Sequence, residues 1–306
     1  MTGLFVKIGI MVALGFFLKR KKIITQQFQS ALSDFLLNAV LPFSVLASAG
    51  NKLADGMAAR LGQSALIACG YYCAALVVCV LLGKVLWKNG SADFSKKRGI
   101  FSTMSVFANT GFIGLPLVEE LFGSEGMLYG VIYNMAYQLF LFTIGIALLS
   151  GEHKISWKAL FSDVTSVVSI LAIVLYLSPF RFPAVVNDAF TAIGDMCVPL
   201  SMIVIGCCIA DVHFSQLVHE KYGYLISALR LLIFPLLLLF LLRTLNITSV
   251  LRNSCVVLTA LPVGSLNVLL AERYKADVSF STCAVVQSLI LFMGTLPVIL
   301  YCLGRF

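Results

Sequence analysis

Residues 108–117 read ANTGFIGLPL, and residues 261–270 read LPVGSLNVLL. Both stretches sit inside long apolar runs. Both crowd helix-weakening residues together: Asn109, Thr110, Gly111, Gly114 and Pro116 in the first, Pro262, Gly264, Ser265 and Asn267 in the second. Proline removes a backbone donor and clashes with the preceding turn, and glycine permits unwound backbone. At membrane depth, unwound backbone survives only where it lines a polar cavity or is buried in protein. Each break leaves two half-helices, whose N-terminal ends offer free N–H groups and partial positive charge to an anion. Two such breaks at corresponding places predict a ligand site built from both. Kinked helices with no ligand are the alternative.

The surrounding sequence makes the membrane setting plain. Of 306 residues, 60% are hydrophobic and 12% charged, against ~25% charged in soluble domains. Mean hydropathy is +0.98. So few charges cannot cover a soluble surface, which excludes an ordinary soluble enzyme, a disordered chain and a disulfide-rich secreted domain. Ten apolar runs follow one another at roughly 3–18, 29–50, 62–87, 99–122, 126–149, 158–179, 187–210, 221–243, 251–272 and 278–302. A span needs about 20 apolar residues, so the pattern predicts an all-α polytopic membrane protein with ten transmembrane helices. The runs do not alternate with period two, as barrel strands would. The positive cluster Lys19 to Lys22 follows the first run, whereas a signal peptide carries its charge in front.

The nine cysteines all fall inside apolar runs, where they act as small hydrophobes at helix contacts. No CxxC and no metal-type Cys/His spacing occurs, and there is no Walker A motif. The expectation is therefore no enzyme and no cofactor, beyond a coupling proton or sodium ion. The net charge of +8 does not point to nucleic acid, because the Lys and Arg residues lie in short loops between runs. With the N-terminus outside, fourteen of them fall in inner loops and six in outer ones. That bias predicts both termini outside a cytoplasmic membrane. The acidic stretch Glu119, Glu120, Glu125 then reads as an outer loop.

The chain repeats itself. Pro42-Phe43-Ser44 in span 2 parallels Pro199-Leu200-Ser201 in span 7, and Gln138 in span 5 parallels Gln287 in span 10. Pro42 to Gly111 is 69 residues, and Pro199 to Gly264 is 65. Five spans repeating as five more invert the second copy, the plan of secondary transporters. The expected units are 1–150 and 151–306.

The stretch ANTGFIGLPLVEELFG at 108–123 resembles span 4 of the auxin efflux carrier family. LPVGSLNVLLAERYKAD at 261–277 and TLPVILY at 295–301 resemble the end of the same family, and PFSVLAS in span 2 extends the likeness over nearly the whole chain. The resemblance implies two inverted five-helix repeats with broken, crossed helices 4 and 9. It implies secondary transport of organic anions: auxin in plant members, malonate, malate or similar carboxylates in bacterial ones. It implies a homodimer in the lipid bilayer, with spans 1, 2, 6 and 7 as scaffold and spans 3–5 and 8–10 as an elevator-type moving unit. Only about eight residues separate spans 5 and 6, as in a compact bacterial-type carrier. Plant carriers place an acid near the start of span 3, where this chain reads Arg60-Leu61-Gly62-Gln63.

By that analogy the small carboxylate meets Asn109, Thr110 and Gly111 at one crossing, and Pro262, Gly264, Ser265 and Asn267 at the other. Asn134 and Gln138 line the pocket, or else make interhelical hydrogen bonds. Asp195, Asp34 and Gln287 are candidates for ion coupling, since intramembrane polar groups are functional candidates by default. An Asp195–Arg230 pair is the structural alternative. The competing functions are a sodium- or proton-coupled carrier of the bile-acid symporter or antiporter type, a channel, and a non-transporting receptor or scaffold.

Overall fold

In the computed structural model, residues 2–49, 56–87, 92–150, 164–178, 182–210, 220–264, 266–274 and 276–304 are described. They form helices, and no strand occurs among them beyond one isolated bridge. A chain this apolar must pair its own backbone groups, and a helix does so within one segment.

The first half holds α1 (Thr2–Arg20), α2 (Gln26–Phe35), α3 (Leu41–Ala49), α4 (Met57–Leu86), α5 (Ala92–Val106), α6 (Leu115–Phe140) and α7 (Ile146–Ser150). The second holds α8 (Val164–Leu177), α9 (Ala184–Gly194), α10 (Cys197–Ala210), α11 (Lys221–Ala228), α12 (Phe234–Thr244), α13 (Ser249–Thr259), α14 (Leu266–Arg273) and α15 (Val278–Cys302). The Thr25 hydroxyl caps α2 by accepting from Phe28 N at 3.2 Å, so this helix starts three residues before the apolar run.

Three π-helical turns, Leu36–Val40, Thr110–Gly114 and Leu229–Ile233, lead into helices whose second residue is proline: Pro42, Pro116 and Pro235. Each proline has no N–H and crowds the carbonyl four residues back, and the preceding turn widens to accommodate it.

Six helical stretches among the described residues are long and apolar enough to cross a membrane: Gln26–Ser48, Met57–Leu86, Thr110–Leu149, Ala184–Ala210, Lys221–Thr244 and Val278–Cys302. The third has 40 residues, about 60 Å if straight, twice a bilayer core of about 30 Å. It is not straight, because Gly123 has φ 66 and ψ −161 and breaks α6 into two legs. Glu119 therefore sits on a helix rather than in a loop, which corrects the outer-loop reading. Its carboxylate accepts from Ser44 Oγ of α3 at 2.6 Å.

Small residues set the closest helix contacts. α1 lies along α10 with two glycines facing in reciprocal fashion. A Cβ on Gly15 would fall 2.0 Å from Ile203 O, and one on Gly206 would fall 2.0 Å from Val12 O. This is the small-residue packing that lets membrane helices approach closely. Large apolar side chains such as Leu66, Leu237 and Phe240 remain exposed on the outer faces of α4 and α12, as a lipid-facing surface requires. An aromatic cluster of Tyr71, Tyr72, Phe107, Tyr133 and Phe140 joins α4 and α6 to the residues after α5.

Candidate functional site

The runs expected at 99–122 and 251–272 are both interrupted. α5 stops at Val106 and helix resumes at Thr110, while α13 stops at Thr259 and α14 begins at Leu266. The two gaps meet. Ala108 and Val263 form an antiparallel bridge, with Asn109 N donating to Pro262 O at 3.0 Å and Gly264 N donating to Phe107 O at 3.1 Å. Backbone groups freed by unwinding thus satisfy each other across the crossing. A Cβ on Gly264 would lie 2.8 Å from Ala108 O, so this contact excludes any side chain. Asn267 Nδ2 donates to Phe107 O at 2.9 Å and Gly264 O at 3.0 Å. Ser288 Oγ of α15 accepts from Val263 N at 3.0 Å.

On the other side of the break, Thr110 Oγ1 donates to Asn134 Oδ1 at 2.7 Å, both residues being buried. Gly111 has open space beside it, the nearest atom to an added Cβ being Asn134 Oδ1 at 3.7 Å. Gln138 lies buried one turn beyond Asn134 on the same face of α6.

The C-terminal ends of α5 and α13 converge as well. In an unbroken helix, Met104 O would accept from Ala108 N. Here it accepts from Arg230 Nη1 at 3.1 Å. Leu261 O accepts from Arg230 Nε at 2.8 Å. Arg230 is fully buried. Its partners are these carbonyls rather than Asp195, which is exposed at the break between α9 and α10. The Asp195–Arg230 pair is thereby corrected.

A cavity of about 350 Å³ opens against the crossing. Asn109, Pro262 and Val263 form one wall, Gln26, Gln29 and Ser33 of α2 another, and Val204, Ile205 and Cys208 of α10 a third, with Val285 and Leu289 of α15 closing it. Lys19 Nζ donates to Gln26 Oε1 and Gln29 Oε1, each at 2.6 Å. The cavity rim therefore carries a cation held by two of its own lining residues. A larger groove of about 490 Å³ between α4 and α12 is lined almost entirely by aliphatic side chains and offers no such chemistry.

The structure thus brings together Asn109, Thr110, Gly111, Asn134, Pro262, Gly264 and Asn267, with Gln138 a turn away. Ser265 lies outside the described residues. The three ion-coupling candidates are elsewhere. Asp34 is exposed on α2. Asp195 neighbours Glu119. Gln287 packs against Gly223 and donates from Nε2 to Glu220 O at 3.2 Å. Among the described residues no cluster of His, Cys, Asp or Glu suits a metal ion. Sequence reasoning missed Gln26, Gln29, Ser33, Ser288 and the role of Lys19. Gln26 and Gln29, three apart on a capped helix start, were the available signal.

Residues 1–159 and 152–300 match the family described as membrane transport protein. The chain is similar to an uncharacterized transporter of Methanocaldococcus jannaschii, at 22% identity over 278 residues covering 88% of each chain. It is also similar to an uncharacterized transporter of Methanothermobacter thermautotrophicus, at 25% identity over 300 residues, 94% of this chain and 93% of the relative.

Proposed function

The chain belongs to the membrane transport protein family, the auxin efflux carrier family its motifs resemble, and from that premise we propose that it is a secondary carrier of small carboxylates. The observation that supports this most is the cavity of about 350 Å³ between the crossing and α2, with Lys19 at its rim. That volume falls at the low end of ligand pockets, roughly 300–1,000 Å³. Its lining supplies amides, a hydroxyl and a thiol and no carboxylate, and Lys19 is bonded to two of the lining amides. Such a lining favours a small anion of the malonate, malate or auxin type. The Asn109 amide and the N-terminal ends beyond the breaks receive the carboxylate, and Lys19 supplies the attractive field at the entrance.

In this reading the ten runs are ten spans in two inverted repeats, 1–150 and 151–306. Spans 1, 2, 6 and 7 form a dimeric scaffold in the cytoplasmic membrane, and the crossing rides in the moving unit. The cavity faces the end of α1 and the start of α2, the inner side if both termini are outside. Glu119 and Ser44 meet where the moving unit touches the scaffold.

Counterflow in liposomes holding the purified protein tests the reading. Saturable exchange of one labelled acid from a panel of mono- and dicarboxylates, lost in Asn109→Ala, supports it. Binding of an acid without exchange of any would replace the carrier with a receptor or scaffold.

A further inference from the structure

A buried arginine with no acid beside it demands an account. Arg230 is fully buried, and its hydrogen bonds run to main-chain carbonyls, with no carboxylate among the described residues paired to it. Burying an uncompensated charge costs several kcal/mol. The compensation here is the pair of half-helix ends. Each helix C-terminus carries roughly half a negative charge; α5 directs the carbonyl of Met104, and the unwound stretch just after α13 that of Leu261, at the same guanidinium. Converging C-terminal ends of this kind coordinate a coupling cation in other broken-helix transporters. In this chain four of the carbonyls at the crossing are engaged. Met104 O and Leu261 O take Arg230. Phe107 O takes Gly264 N and Asn267 Nδ2, and Pro262 O takes Asn109 N. A hard metal ion needs several free oxygen ligands, and these four carbonyls are already taken.

We propose that the Arg230 guanidinium is a built-in cation that ties the two half-helix C-termini together and stands in for a coupling sodium ion at the crossing. The π turn Leu229–Ile233 that carries it precedes Pro235 and delivers the side chain to the crossing from a separate element. One planar fork reaches two carbonyls, which a lysine ammonium on a flexible stem does less rigidly.

The test uses the full-length protein and reads thermal unfolding first, so that it holds whether or not the chain moves solute. The wild-type midpoint is expected to be the same in sodium chloride and in choline chloride at equal ionic strength. Arg230→Gly should lower it on the order of 10 °C, with recovery by a low concentration of guanidinium ion and smaller loss in Arg230→Lys. Sodium-specific stabilisation of the wild type overturns the proposal. So does an Arg230→Met variant as stable as the wild type. If Arg230→Gly does not fold, the sodium comparison on the wild type and Arg230→Lys decide the matter. A second readout rests on the carrier reading: exchange of the transported acid should run at equal rates with sodium or choline outside. A sodium requirement there overturns the built-in cation and leaves the carrier standing.

Discussion

The side-chain amide of Asn267 donates to the main-chain carbonyl of Phe107 at 2.9 Å, joining residues 160 apart in the chain. With the Ala108–Val263 bridge it makes the two broken stretches one structural unit. A bond between two broken helices has no role in keeping either one helical. It serves to hold unwound backbone in a fixed place, where its amides and carbonyls are spent on each other and on whatever occupies the adjoining cavity.

Replacing Asn267 by Asp should be more damaging than replacing it by Ala. The Nδ2 donor faces two carbonyls, at 2.9 and 3.0 Å, and a carboxylate oxygen there would meet both as a like dipole. Loss of the donor alone costs about 1–3 kcal/mol. Unfolding midpoints of the two variants, with exchange rates measured on the folded fraction, check the ranking.

Gly264→Ala should abolish exchange while the protein still inserts. Its methyl would sit 2.8 Å from Ala108 O, and the opposing atom is backbone that cannot swing aside. Overpacking of this kind costs about 1–3 kcal/mol. Gly111→Ala serves as the control, since its nearest neighbour lies at 3.7 Å, and it should remain folded to wild-type levels.

Lys19→Gln should raise the half-saturation concentration for an anionic substrate by about three- to tenfold with little change in maximal rate, because it removes a field at the cavity rim rather than a group at the crossing. Lys19→Arg should stay near wild type. The difference between wild type and Lys19→Gln should shrink as salt rises, since the rim charge is screened.

Gly206→Leu should separate α1 from α10 and leave too little folded protein to assay, because no side chain fits 2.0 Å from Val12 O. Size-exclusion profiles in detergent measure this directly. A Leu variant that elutes and melts like the wild type would contradict the reciprocal glycine contact.

The breaks were legible in the sequence because Pro, Gly, Asn and Thr rarely cluster inside an apolar run without a reason. Two such clusters predicted where helices would stop, and α5 and α13 stop there. The partners of Arg230 were not legible. Its acceptors lie 31 and 126 residues away and are main-chain carbonyls, which every residue type carries, so no motif marks them. Lys19 was read as one of four topogenic charges, and composition alone does not tell a snorkelling lysine from one held by Gln26 and Gln29. Glu119 was misplaced because charge density resembled a loop, whereas α6 carries it inward to Ser44. In each case the missing information was tertiary: which helix face meets which.

Cys208 provides the most direct test of the central claim, that the transported anion occupies the cavity at the crossing. Cys208 lines that cavity and its sulfur accepts from Gln29 Nε2 at 3.4 Å, whereas Cys302, half-buried at the C-terminal end of α15, does not line it. The rate at which a small membrane-impermeant thiol reagent modifies each cysteine can be read by peptide mass spectrometry, with and without the acid that exchanges in liposomes. A saturating concentration of that acid should slow modification of Cys208 and leave that of Cys302 unchanged. Equal modification of Cys208 with and without an acid that the protein demonstrably transports would contradict it.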